Sequence, residues 1–413
     1  MKNVINVILD GFVIQEKEKC KMKILHCSDI HLGKRPFGTK EFSQKRYLDF
    51  FYAFETLIDE AIRKKVDLVI VAGDLFDKKE LTPDVLQKCE KIFIKLKNNN
   101  IPAFIIEGNH DNSNNNDLIN SWTHYLEDKK LIIRGDYRFE DNNFKFDKFQ
   151  INDVNIYGVG YPGFAVDEVL VQLSQQLNPL EKNIVVVHTA LGGGEYLPGL
   201  ANSSSIKEFK DKVLYIAGGH LHSFQVYPKE NPYFFIPGSL EYWNVLNEKS
   251  DKKGGILFDT DTKEYEFVQI SPRKRIKTIF NPTSSEIEEE FSKFCENLHL
   301  TGEELVIVTI NITDNKYINT TEFEKIIEKK GALKGYIQLN YAENNDLNNN
   351  NTYTSIKAIE KNIISSWEQF KNKDSICNYL QKFKEYSGDK ERQDDFFTLF
   401  DNMLEEEISN ENK

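Results

Sequence analysis

The chain has 413 residues, 40% of them hydrophobic and 29% charged, enough for two or three domains that each bury a core. No apolar run approaches the roughly 20 residues that span a bilayer, and five scattered cysteines without CxxC pairs argue against a disulfide framework or a cysteine–zinc site. The net charge of -12 weighs against a nucleic-acid partner only in sum, because residues 390–413 alone hold eight acidic side chains against three basic ones.

In chain order, the first 21 residues lack the basic, apolar and small-residue sequence of a signal peptide. "MKILHCSDIHLG", from Met22, reads as the natural start. Residues 1–21 are therefore expected to be a disordered or mis-assigned extension, and the protein to be cytoplasmic. From Lys23 to about Ile270, strand and helix patterns alternate. The apolar strand candidates are "KILHCS", "VDLVIVA", "PAFIIE", "VNIYGVG", "NIVVVH", "VLYIAGG", "YFFIPG", "GGILFD" and "YEFVQI". Between the first two, Leu48, Phe51, Phe54, Ile58 and Ile62 recur at helical spacing. Pro83 to Leu96 is a second predicted helix, with Thr82 as its N-cap and Pro83 at the first helical position. The pattern predicts a layered α/β domain with mixed sheets over 22–271.

"SPRKRIKTIFNPTSSEIEEE" marks a boundary. A small α+β unit, 272–342, follows with "EELVIVTINI" (strand), "TTEFEKIIEKK" (helix) and "LKGYIQLNY" (strand). An Asn-rich linker covers 343–354. Residues 355–413 carry only helical patterns, with Phe396, Leu399, Phe400, Met403 and Leu404 on one face.

Five of the eight histidines fall at predicted strand ends beside Gly, Asp or Asn. In order these places are "SDIHLG" (Asp29, His31), "AGDLFD" (Asp74, Asp77), "EGNHD" (Asn109, His110), "VVVHTALGGG" (His188) and "GGHLHSF" (His220, His222). The carboxyl ends of strands in an α/β sheet open into one crevice, so these groups should converge there. Imidazole, carboxylate and amide oxygen suit manganese, iron, zinc or magnesium. Asp-x-His and His-x-His place two side chains on one side of an extended segment. Taken singly, each has a plainer reading as a surface turn, a helix cap or a satisfied core histidine. Five in order at strand ends outweigh those readings. His26, His124 and His299 lack that setting and are left structural.

The ordered set D-x-H, G-D, G-N-H-D, H and G-H-x-H resembles the calcineurin-like metallophosphoesterase superfamily. "SDIHLGKRPFG", "VDLVIVAGDLFDKKELTP" and "IPGSLEYW" resemble its SbcD-type DNA-repair nucleases, with a YhaO-like bacterial branch as the neighbouring option. The resemblance implies a layered metallophosphoesterase fold of mixed β-sheets flanked by helices, a small α+β capping domain and a C-terminal helical segment. It implies two divalent ions, Mn2+ before Mg2+. One would be held by Asp29, His31, Asp74 and His222, the other by Asp74, Asn109, His188 and His220, with Asp74 bridging. His110 matches the histidine that contacts the scissile phosphate and helps the leaving group.

Archaeal and eukaryotic counterparts carry a second histidine where this chain has Asp77, whose expected role is to orient His110 or cap the following loop. The resemblance also implies DNA as substrate, homodimerisation, and an SbcC-type coiled-coil ATPase docked on 355–413. Lys34, Arg35, Arg273, Lys274, Arg275 and Lys277 are candidate phosphate contacts, against the plainer reading of solvated surface. The expected activity is DNA exonuclease and endonuclease. The alternatives are a phosphatase or cyclic phosphodiesterase on small substrates, and a non-catalytic scaffold for the ATPase.

Overall fold

The computed structural model describes residues 22–111, 121–192, 198–283, 286–312 and 318–341, with scattered helical positions between 364 and 399. The N-terminal extension, the Asn-rich linker and nearly all of the expected docking helices lie outside the described residues. Two compact units divide after Tyr341.

The first unit starts with β1 (Lys23–Cys27), α1 (Lys40–Arg63), β2 (Leu68–Ala72), α2 (Pro83–Asn98) and β3 (Ala103–Ile106). α1 is capped by Thr39, whose hydroxyl accepts from the Phe42 amide at 3.2 Å. α2 starts with Pro83 as expected, but Thr82 caps it by backbone position alone, without a side-chain bond.

β1, β2 and β3 run parallel in a six-stranded sheet ordered Tyr265–Ile270, Lys253–Asp259, β1, β2, β3, Ile133–Arg134. A second six-stranded sheet is ordered Gln225–Tyr227, Phe234–Ile236, Tyr215–Ala217, Lys182–Val187, Val154–Val159, Lys148–Ile151, with antiparallel strands at both edges. Alternation along each strand assigns its two faces. Leu25, Val69 and Ile105 pack on Phe54, Leu57 and Phe93 of the helices. Their neighbours Ile24, Ile70, Phe104 and Ile106 pack on Ile156, Ile184 and Val186 of the second sheet. The far face of that sheet is covered by the helix Val166–Gln176. The result is a four-layer α/β sandwich, helix–sheet–sheet–helix. Strands buried on both faces read as unbroken apolar runs, the pattern that makes "LVIVA" and "NIVVV" recognisable.

Within this same first unit, a smaller part, called the small unit below, is a parallel three-stranded sheet, Arg275–Phe280, Leu305–Ile312 and Lys334–Tyr341, with helices Ile287–Glu296 and Thr320–Lys329. Part of what reads as a boundary in the sequence is thus the edge strand of its sheet. Glu288, Glu289 and Glu290 lie in the first turn of a helix, where negative charge complements the helix dipole. Phe42, Tyr242 and Val245 form one buried cluster with Leu305 and Ile307, which fastens this unit to the sandwich. Beside it, buried Arg46 donates to Asp49 and to the Tyr242 carbonyl, both at 2.7 Å, and Arg273 Nε donates to the same Asp49 at 2.9 Å. No helix among the described residues is long and apolar enough to cross a membrane.

Candidate metal centre

The loops that follow β1, β2 and β3 carry Asp29 and His31, Asp74, and Asn109 and His110. Loops after Lys182–Val187 and Tyr215–Ala217 of the other sheet carry His188, His220 and His222. The seven residues expected to bind metal therefore meet at the seam between the sheets. The β1 and β2 loops are zipped together, because the Ile30 and His31 amides both donate to the Asp74 carbonyl, at 2.9 and 3.0 Å. Asp29, His31, Asp74 and His220 all have positive φ, between 52° and 79°. Such backbone costs about 1–3 kcal/mol per residue and concentrates at functional sites. Two glycines make room: a Cβ on Gly108 would lie 2.1 Å from Asp74 Oδ1, and one on Gly73 2.2 Å from His188 Nδ1.

The side chains form two groups. In one, His31 Nε2 and His222 Nε2 are 3.1 Å apart, and Asp29 Oδ1 lies 3.9 Å from His222 Nε2. In the other, Asn109 Oδ1 lies 3.1 Å from His188 Nε2 and 3.0 Å from His220 Nδ1. Asp74 Oδ2 lies between them, 3.9 Å from His31 Nε2 and 3.5 Å from His188 Nε2. Ligand atoms of Asp29, His31 and His222, and likewise of Asp29, Asp74 and His188, fall within 4.8 Å of one another.

This donor set fits divalent cations. Adjacent ligands about 2.1 Å from an octahedral ion sit about 3.0 Å apart, close to the spacings above. His188 Nδ1 faces the Ala72 carbonyl at 2.8 Å, and His222 Nδ1 faces Glu248 Oε1 at 3.2 Å. A carbonyl only accepts, so the His188 Nδ1 carries the hydrogen and its Nε2 offers a lone pair inward; the carboxylate has the same effect on His222. His31 Nδ1 is buried without a hydrogen-bond partner.

The local field points the same way. Burial resists ionisation of Asp74, but His188, His31 and His110 outweigh it and hold its carboxyl well below the usual range. Burial likewise opposes charge on His188, yet Asp74 raises it to about 9. Burial dominates elsewhere, pushing Asp29 up and His31 well down, and with the charge of His188 it takes His220 to about 4. The centre draws positive charge toward Asp74.

His110 is half-buried beside these groups. Its amide donates to Asp74 Oδ1 at 2.9 Å, and its Nδ1 donates to the Asp77 carbonyl at 2.8 Å, leaving Nε2 as the remaining ring nitrogen. The backbone of Asp77, rather than its carboxylate, thus orients His110. The carboxylate accepts from Trp243 Nε1 at 2.8 Å and pairs with Lys34 at 3.3 Å. The Lys34 ammonium lies 3.7 Å over the Trp243 ring, which is itself 5.9 Å from the His31 ring. Lys34 therefore stands beside the centre. Arg35 stacks on Tyr47 at 3.8 Å.

The members of the second basic cluster are placed differently from one another. Arg275 has a fully buried side chain that pairs with Asp251 and donates to the carbonyls of Val245 and Glu248, at 2.8 and 2.7 Å. Arg273 pairs with Asp49 and Glu303. Both are struts of the joint to the small unit, because their charges are already spent on carboxylates. Lys274 pairs with Glu304 at 3.1 Å but stays 64% exposed, and Lys277 donates to the Lys249 carbonyl at 3.0 Å.

Other residues escape sequence reasoning. Asp111, the last letter of "GNHD", is buried and accepts from the amides of Leu75, Phe76 and Gly108 at 3.0, 2.8 and 3.0 Å. It clamps the β2 loop to the β3 loop, and its position inside the motif was the available signal. Trp243 closes the stretch "IPGSLEYW", which was its only signal, whereas Glu248 and Lys253 lie outside every motif, so spacing gives no sign of them.

Residues 22–224 match the family described as calcineurin-like phosphoesterase. The chain carries a calcineurin-like metallophosphoesterase domain. Relatives include the DNA double-strand break repair protein Mre11 of Methanosarcina mazei, 28% identical over 332 residues, which cover 76% of this chain and 49% of that protein. The Mre11 of Sulfolobus acidocaldarius is 27% identical over 77% of this chain and 81% of its own length. A Bacillus subtilis protein named uncharacterized metallophosphoesterase YhaO is 25% identical over 68% of this chain and 72% of its own. The chain spans about half the length of the first of these relatives. Among solved structures, a dimetal phosphatase from Danio rerio aligns over 57% of this metallophosphoesterase chain and 91% of its own, at 10% identity and a TM-score of 0.38.

Proposed function

We propose that the protein is a two-metal DNA phosphodiesterase of double-strand-break repair, acting as an exonuclease on duplex ends and an endonuclease on single-stranded or hairpin DNA. One observation carries the reading: Asp74 Oδ2 stands between two separate ligand groups contributed by two sheets. Asp29, His31, Asp74 and His222 would hold one ion, and Asp74, Asn109, His188 and His220 the other, with manganese preferred and magnesium second. Bound cations supply Lewis-acid stabilisation of phosphoryl oxygens and make water a nucleophile at neutral pH.

The chain's own groups do the rest. Asp29, His31 and His188 are fully buried and keep bulk water from the inner wall, while half-buried Asn109, His110, His220 and His222 form the mouth. His110, aligned by the Asp77 carbonyl, holds a proton at Nε2 for the leaving oxygen. Lys34, and Arg35 next to it, contact the flanking phosphates. The names of the Mre11 relatives support DNA as substrate. By the resemblance of its motifs to SbcD-type nucleases, the protein would work in the cytoplasm as a homodimer with an SbcC-type ATPase docked on 355–413, a segment almost wholly outside the described residues.

The test is manganese-dependent digestion of end-labelled duplex and hairpin DNA, with bis(p-nitrophenyl) phosphate as the small diester. Wild type is expected to cut DNA, and Asp74→Asn and His110→Ala to lose at least about 100-fold, the lower range of acid–base contributions. Equal activity in all three rejects the site. Turnover of the small diester with none on DNA replaces the substrate by a small phosphoester.

A further inference from the structure

The fully buried ammonium of Lys253 has no place in the chemistry above. Its side chain has no solvent exposure, an environment lysine almost never occupies without a partner. Its partner is Glu248, whose two carboxylate oxygens divide their work. Oε2 takes the Lys253 ammonium and lies 3.4 Å from the Ser239 hydroxyl. Oε1 accepts from the Trp243 and Asn244 amides at 2.8 and 2.9 Å and from His222 Nδ1 at 3.2 Å. Lys253 in turn donates to Ser239 Oγ at 2.6 Å and to the His222 carbonyl at 3.4 Å. His222 is thus held at its ring by one member of the pair and at its backbone by the other. The approach is close enough to need a glycine: a Cβ on Gly238, at φ +83°, would lie 2.8 Å from the His222 carbonyl oxygen.

We propose that Glu248 and Lys253 are a charged brace that positions His222, and so sets metal affinity in one of the two ligand groups and not in the other. Lys253 opens the strand Lys253–Asp259, which pairs with β1 in the first sheet, whereas His222 follows Tyr215–Ala217 of the second. The brace therefore crosses the seam on which the centre is built. It contacts none of Asn109, His188 and His220 among the described hydrogen bonds and ion pairs, and His188 has its own support in the Ala72 carbonyl. A hydrophobic residue of similar length would fill the Lys253 site equally well; what it could not do is hold Glu248 against His222. Glu248 and Lys253 are positioning residues, since His222 alone of the three offers a nitrogen to the centre.

The inference rests on the two-metal reading, and calorimetric titration of the full chain with manganese tests it without DNA. Wild type is expected to bind in two steps. The double variant Glu248→Gln with Lys253→Met keeps an acceptor for His222 and buries no unpaired ammonium. It is expected to weaken one step by about 10- to 100-fold, the usual loss when the outer partner of a ligating histidine is mutated, because the charge that Lys253 holds against His222 is gone although an acceptor remains, and to leave the other step within about threefold. Two unchanged steps, or two steps weakened alike, overturn the brace. If the double variant does not fold, Ser239→Ala removes one Lys253 acceptor and is expected to show the same asymmetry in smaller measure; its absence also overturns the brace. A wild-type protein without two steps counts instead against the two-metal reading.

Discussion

Acid should loosen the sandwich through one histidine that takes no part in the metal centre. His26 of β1 is fully buried between the sheets, with Nε2 donating to the Gly218 carbonyl at 3.0 Å and Nδ1 accepting from the Tyr215 hydroxyl at 2.8 Å. Burial, against the smaller favourable effect of the Gly218 carbonyl, lowers its pKa to about 3. In the unfolded chain a histidine titrates near about 6.5. The folded value lies below the unfolded one, so this stabilisation is complete above about pH 6.5 and is lost as pH falls toward 3, while the unfolded state takes up a proton that the folded state refuses. Between pH 8 and pH 5 the loss amounts to about 2 kcal/mol, or roughly 4–8 °C in melting temperature for a domain of this size. Melting wild type and His26→Gln at both pH values, with chelator present, isolates the effect. Glutamine offers one donor and one acceptor but no charge, so the variant should lose about 4–8 °C less than wild type on acidification. Equal acid shifts in the two proteins would show that His26 does not resist protonation and would refute the reasoning.

Two further outcomes are expected. Gly108→Ala should abolish manganese binding by calorimetry with the circular dichroism spectrum kept, because the new methyl would stand 2.1 Å from Asp74 Oδ1; retained binding would mean that the β3 loop can move away. Lys34→Ala should reduce the salt dependence of DNA affinity by about one phosphate equivalent, whereas Arg275→Gln should leave it unchanged and lower the melting temperature, since Arg275 is fully buried against Asp251; fluorescence anisotropy across a salt series separates the two, and a reduced slope for Arg275→Gln would contradict its role as a strut.

Much of this was legible in the residues. Strands buried on both faces announce themselves as runs such as "LVIVA", and polar groups that interrupt those runs at their carboxyl ends mark the crevice. That is why the seven metal-group residues and His110 were found together. Arg275–Phe280 is hidden as a strand, because a basic cluster between Pro272 and Pro282, followed by a Ser/Thr run, has the composition of a linker. The pairing of Arg273 and Arg275 with Asp49 and Asp251 spans more than 20 residues of sequence, and no local pattern reports it. Glu248 and Lys253 were invisible for the same reason: their meaning comes from His222, brought to them by a different sheet. His26 reads as structural from the sequence, and its place as a polar pin between the sheets depends on Tyr215, 189 residues away.

The joint between the sandwich and its small neighbour also has a mechanical consequence. Swinging the three-stranded unit away would strip Phe42, Tyr242, Leu305 and Ile307 of their apolar cover and part Arg273 from Asp49, which would leave Arg46 alone to balance the buried carboxylates of both Asp49 and Glu241. Breaking one such buried pair costs about 3–5 kcal/mol, which leaves fewer than about one molecule in a hundred open at any moment. The unit therefore behaves as a fixed buttress rather than a hinged flap, and its seat on the sandwich is settled when the chain folds.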